Sequence, residues 1–116
     1  MIWVKVLSKQ ELIQPDFVKM VVANGNKICL VKNDNKFYAI QNTCPHAGGL
    51  LSGGWCKHGN IVCPIHRYEY SLVTGRGAEG QGDYIDIYPT QLKEDGLYVG
   101  LKESWWKRLF SSKESD

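Results

Sequence analysis

Two short stretches of this chain place metal-binding side chains on turns. The first is Cys44-Pro45-His46 and the second is Cys63-Pro64-Ile65-His66, with residues 47–62 between them. Thiolate sulfur and imidazole nitrogen are common donors to zinc and iron. A proline after each cysteine fixes φ and stiffens the loop that presents the ligand. Two Cys and two His have two sensible uses. Zinc takes four such ligands tetrahedrally in structural sites. A 2Fe–2S cluster can be held by two Cys on one iron and two His on the other. Zinc fingers pair Cys with Cys and His with His, whereas here each turn contributes one of each. Two opposed loops of that kind set both thiolates at one end of a two-iron cluster and both imidazoles at the other. Structural zinc is the alternative for the same residues.

The scaffold is small. The chain has 116 residues, 43% of them hydrophobic and 22% charged, which suits one soluble globular domain. A net charge of +2 leaves no footprint for a nucleic-acid binder. No apolar run approaches the length of a bilayer span. The first seven residues alternate like a strand and lack the apolar core of a signal peptide, so the expected location is the cytoplasm. Thiols stay reduced there, so the four cysteines are read as ligands and core residues, not as two disulfides.

Glycine turns, β-branched and aromatic residues, and short apolar runs at regular spacing predict an all-β domain. Residues 2–7 alternate as a first strand. Residues 17–22 and 27–32 flank Asn24-Gly25-Asn26 as a hairpin, and Asp34-Asn35 turns into a strand over 37–41. Short strands are expected at 60–63 and 68–72, and further strands at 84–88 and 97–101, with Glu94-Asp95-Gly96 turning before the last. Residues 53–59 read as a glycine-rich turn. The run 75–82 carries four glycines but lacks the Lys-Ser/Thr pair and following helix of a phosphate cradle, so it reads as a flexible surface loop. The expected layout is an antiparallel β-sandwich base carrying a smaller inserted subdomain.

The paired motif Cys-Pro-His and Cys-Pro-Ile-His, continued through residues 68–75, resembles the Rieske iron–sulfur family, and the likeness covers about residues 2–101. The resemblance implies a single domain over 1–103 with a cluster-binding subdomain at about 42–75. It implies one 2Fe–2S cluster, with Cys44 and Cys63 on the inner iron and His46 and His66 on the outer iron. The oxidised cluster would be electrically neutral where an all-cysteine one is dianionic, so an electron is accepted more easily. Bound ferric iron acidifies the second imidazole proton, so the potential is expected to fall with alkaline pH. The high-potential branch of the family carries one extra Cys in each cluster loop, joined by a disulfide, at places corresponding to Gly49 and Ile65. It also supplies a Ser hydroxyl where this chain has Tyr68, and a Tyr that Tyr70 matches. Tyr70 is therefore a retained hydroxyl donor or a plain core aromatic, and the implied potential lies at about −150 to 0 mV.

Other residues have quieter readings. Cys29 lies in an apolar strand and is expected in the core. Cys56 is a bystander thiol, and His58 an exposed turn residue. Pro45, Gly48, Gly49 and Leu50 beside His46, with Pro64 and Arg67 beside His66, form the rim where a redox partner would dock. In residues 104–116, a helical 104–110 would gather Trp105, Trp106, Leu109 and Phe110 on one arc, with Lys107 and Arg108 opposite. That pattern suits weak contact with a membrane surface or a partner groove, or packing on the sheet. The last six residues read as disordered.

The resemblance implies a ferredoxin, an electron carrier and not an enzyme. It would pass single electrons from a flavin reductase to a terminal oxygenase or similar enzyme. The chain has no room for a mononuclear iron domain and no nucleotide fingerprint. Two alternatives remain at this point: a Rieske-like small subunit of a larger oxidoreductase such as nitrite reductase, and a structural zinc-binding β-domain.

Overall fold

The backbone turns where the sequence places Asn, Asp and Gly. Asn24 and Gly25 have φ of 50° and 84°, and Asp34 and Asn35 have 53° and 62°. Two consecutive positive values give the tight turn that matches strand twist. In this computed structural model, which describes residues 1–46 and 48–102, those turns join β2 (Phe17–Ala23), β3 (Asn26–Asn33) and β4 (Lys36–Gln41) into a meander. β1 (Ile2–Ser8) precedes it. β5 (Trp55–Lys57), β6 (Asn60–Val62), β7 (Glu69–Ser71), β8 (Ile87–Tyr88), β9 (Thr90–Lys93) and β10 (Gly96–Leu101) follow, with single 3₁₀ turns at Gln10–Ile13 and Leu51–Gly53. Among the described residues there is no α-helix, and no helix is long and apolar enough to cross a membrane.

The strands form three antiparallel sheets, ordered β1-β10-β9, β2-β3-β4-β8 and β5-β6-β7. The first two pack face to face. Leu7 of β1, Ile28 and Leu30 of β3, Ala39 of β4 and Leu97, Val99 and Leu101 of β10 fill the space between them. Successive strand residues point to opposite faces, so Cys29 and Val31 of β3 and Ile40 of β4 point away from that core. They meet a second core containing Leu51, Ile61, Tyr70, Leu72, Ile85 and the two motif cysteines, Cys44 and Cys63. β3 is thus covered on both faces, which is why residues 28–31 read as an unbroken apolar run.

Some expectations shift. Residues 53–59 are not a simple turn: β5 occupies 55–57, and the turn is His58-Gly59, with φ of 50° and 81°. A three-residue strand between glycines is too short to show alternation. The strand expected over 84–88 shrinks to Ile87–Tyr88, because Tyr84 instead bridges Arg76 and the Asp86 backbone bonds with Gln41. β9 carries mostly exposed residues and gave no apolar signal. The loop 75–82 is not loose. Gly75 donates to Ser71 O (2.8 Å), Ala78 to Glu69 O (3.0 Å) and Gly77 to Asp83 O (2.9 Å), folding it against β7. The arc of Trp105, Trp106, Leu109 and Phe110 lies outside the described residues.

Candidate metal centre

Each motif closes on itself through backbone hydrogen bonds. The first follows β4. The Cys44 N–H donates to Gly49 O (2.7 Å), and Gly48 N–H returns a bond to Cys44 O (2.9 Å). Asn42, buried at the loop's base, accepts from Leu51 N–H through its carbonyl (2.6 Å) and from Ser52 N–H through its side chain (3.2 Å). The second motif is the loop between β6 and β7, closed by Cys63 N–H to Tyr68 O (2.8 Å). Its tip holds His66 and Arg67 at φ of 61° and 56°. Non-glycine residues in that region cost on the order of 1–3 kcal/mol each, and such strain gathers at functional sites.

The two loops touch at Gly49. A Cβ there would stand 3.3 Å from Cys63 Sγ, 2.8 Å from Ile65 Cδ1 and 3.1 Å from Ile65 Cγ1, so a residue without a side chain lets the first loop approach the second cysteine. The contact also puts Gly49 beside Ile65, the two places corresponding to the extra cysteines of the high-potential branch. Cys44 and Cys63 are both buried, at 1% and 0% exposure. Their thiols are neighbours. Burial pushes the Cys63 thiol up, the Ile65 N–H at its sulfur pulls it part of the way back, and the neighbouring Cys44 thiol raises it further. His46 and His66 are exposed. Both pack on Tyr68, with ring centroids at 4.1 Å (65° between planes) for His46 and 6.5 Å (46°) for His66. The site therefore has a buried sulfur end and an exposed imidazole end.

That donor set fits a two-iron cluster. Two thiols side by side can share one iron, while two imidazoles held apart from them suit a second. A mononuclear zinc site instead needs four donors within about 2.0–2.3 Å of one point.

Behind the sulfurs stands Tyr70, fully buried on β7. Its hydroxyl donates to Asp83 Oδ2 at 2.9 Å and lies 3.6 Å from Cys44 Sγ. Burial first, then the Cys44 and Asp83 contacts, push the phenol far above its usual range, so it stays protonated. Tyr70 is thus both a core aromatic and a hydroxyl beside the Cys44 sulfur. Asp83 had no sequence signal as a site residue, since it lies past the glycine-rich loop and is brought in only by that loop's fold. Cys29 sits in the core, its thiol pushed up to about 12 by burial and then by Cys56. Cys56 packs, half-buried, against the same core, and His58 is exposed on its turn.

With this geometry in place, relatives are informative. The chain matches the Rieske [2Fe-2S] domain over residues 2–89. It is 24% identical over 100 residues to the ferredoxin component of a naphthalene 1,2-dioxygenase system from Pseudomonas putida, covering 85% of this chain and 95% of that protein. The ferredoxin of a carbazole 1,9a-dioxygenase from Nocardioides aromaticivorans superposes with a TM-score of 0.77 at 23% identity, over 88% of this chain and 100% of the other. A chain from a complex of oxygenase and ferredoxin in a carbazole 1,9a-dioxygenase superposes with a TM-score of 0.74 at 27% identity, over 87% and 98%. The all-β antiparallel fold, the extent of the match and the implied 2Fe–2S cofactor agree: this chain belongs to the Rieske [2Fe-2S] domain family.

Proposed function

We propose that Cys44 and Cys63 hold one iron and His46 and His66 the other, and that the protein is a cytoplasmic ferredoxin. It carries one electron at a time from a flavin-containing reductase to a terminal oxygenase or similar enzyme. The observation that carries this reading is the pair of adjoining buried thiols set apart from two exposed imidazoles on Tyr68. When bound, the cluster takes up and releases a single electron. The chain's own residues exclude water from the sulfur end and leave the imidazole edges at the surface, where a partner approaches. Around those edges Leu50 and Ile65 are 55% and 43% exposed, and Pro45, Pro64 and Arg67 are exposed with them. An apolar rim with one cation suits a transient contact with a weakly acidic partner. The named relatives include the ferredoxin component of a naphthalene 1,2-dioxygenase system and the ferredoxin of a carbazole 1,9a-dioxygenase, which supports the same role here. We read residues 1–103 as one domain and 42–75 as its cluster-binding part.

The test is an EPR spectrum of dithionite-reduced protein with iron, sulfide and zinc analysis. A rhombic signal of low average g, with two iron per chain, is expected. Cys63→Ala should lose the iron, while Cys56→Ala should keep it. Zinc with no labile sulfide after anaerobic preparation would overturn the reading.

A further inference from the structure

We infer that Asp83 sets the reduction potential of the centre low by holding the Tyr70 hydroxyl proton away from the Cys44 sulfur. This rests on Cys44 being a cluster ligand. The Tyr70 hydroxyl lies 2.9 Å from Asp83 Oδ2 and 3.6 Å from Cys44 Sγ. A phenol carries one proton to donate. A carboxylate oxygen at the shorter distance makes a charge-assisted bond, whereas sulfur at the longer one is a weak acceptor. The proton therefore points to Asp83.

Asp83 is held in this position by the loop around it. Its carbonyl accepts from Gly77 N–H (2.9 Å), and its Oδ1 lies 3.4 Å from Gln81 Nε2. Gln81 in turn grips β7, accepting from Glu69 N–H and donating to Glu69 O, both at 3.1 Å. A Cβ at Gly77 would stand 2.8 Å from Asp83 O and 2.9 Å from Oδ1, so this close approach needs glycine. The hydrogen bonds that fasten the loop 75–82 thus also place a carboxylate one phenol oxygen away from the ligand sulfur.

Two effects follow with the same sign. A hydroxyl donating to a ligand sulfur favours the reduced cluster, and Asp83 diverts that donor. The carboxylate also adds negative charge that opposes an arriving electron. Asp83 is a positioning residue, because it acts through Tyr70. In Asp83→Asn the side-chain amide would donate to the phenol oxygen, turning the hydroxyl proton towards sulfur and removing the charge.

The experiment measures midpoint potentials of the cluster-loaded protein by redox titration followed by circular dichroism. It compares the unmodified chain, Asp83→Asn, Tyr70→Phe and the double variant. Asp83→Asn should raise the potential by about tenfold in the reduction equilibrium, about 59 mV for one electron. Tyr70→Phe alone should move it less than about threefold, since its proton is not on sulfur. Tyr70→Phe added to Asp83→Asn should lower it again by about fivefold. A tenfold drop from Tyr70→Phe alone would overturn the inference, and this arm decides the matter even if Asp83→Asn loses its cluster. An unmoved potential in Asp83→Asn with an intact EPR signal would overturn it too. Absence of any cluster signal in the unmodified chain would instead defeat the ligand assignment.

Discussion

Replacing Gly49 and Ile65 together by cysteine tests how closely the two cluster loops face each other. A Cβ at position 49 would stand 3.1 Å from Ile65 Cγ1, the atom that occupies the place of a cysteine sulfur. In a disulfide with an S–S bond near 2.05 Å, one Cβ lies about 3 Å from the far sulfur. Gly49→Cys/Ile65→Cys should therefore close a disulfide without moving the backbone. The bridge encloses residues 49–65, and a loop of about that length is worth about 3 kcal/mol in the chain-entropy account. At about 2.1 cal/mol/K of unfolding entropy per residue, each kcal/mol moves the midpoint of a domain of this size by about 4 °C, so a rise of up to about 12 °C is expected, less the usual engineering losses. Ile65 is 43% exposed, so an oxidant reaches it. The assay is thiol titration of the cluster-loaded variant with and without dithiothreitol, paired with melting curves under both conditions. If both new thiols stay titratable after oxidation, or if oxidised and reduced forms melt together, the two loops do not face each other as described.

Three further outcomes are expected. Arg67 sits at φ 56°, so Arg67→Gly should gain about 0.5 kcal/mol from relieved strain less added chain entropy, read by thermal melting; a loss would show that the guanidinium makes a net stabilising contact. The Cys29 thiol is pushed from 9.0 to about 12 in the fold, so above pH 9 the unfolded chain gives up this proton while the folded one keeps it. Stability should then fall by about 1.4 kcal/mol per pH unit from this group up to about pH 12, and Cys29→Val should remove that slope in denaturant titrations. Removing iron should leave amide protection high in β1, β3 and β10 and lower it in β6 and β7 by hydrogen exchange, because the inter-sheet core holds no motif residue. Uniform loss across all strands would refute two separable cores.

The hairpin of β2 and β3 and the turn into β4 were legible because Asn-Gly and Asp-Asn turns leave a local signature. The two Cys–His motifs were legible as a set because they sit at a fixed separation and each closes its own loop. The contact between Gly49 and Ile65 was anticipated only through the family resemblance, since nothing local says that residues so far apart meet. β5 and β9 went unread for a physical reason: three or four residues, partly exposed, do not show period-two alternation. Asp83 was invisible for a different one. Its partner Tyr70 is brought near by a loop that looks polar and glycine-rich in sequence, and only the hydrogen bonds of Gln81 and Gly77 reveal that the loop is fastened.

The double coverage of β3 joins the sandwich base to the loops that carry the two Cys–His motifs. Ile28 and Leu30 lock β3 into the inter-sheet core, while Cys29 and Val31, one residue out of phase, present an apolar floor to the loops bearing Cys44 and Cys63. One strand therefore contributes to both cores, and the loops bearing Cys44 and Cys63 pack on its outer face. The same arrangement separates two tasks. On the assignments proposed above, Asp83, Tyr70 and Cys44 act on the electron's energy from the buried end, while His46 and His66, which also tune it as ligands, meet the partner with Tyr68 at the exposed end. Substitutions on the rim then change which protein is met with little effect on the potential. Substitutions around Tyr70 change the potential and leave the contact surface intact.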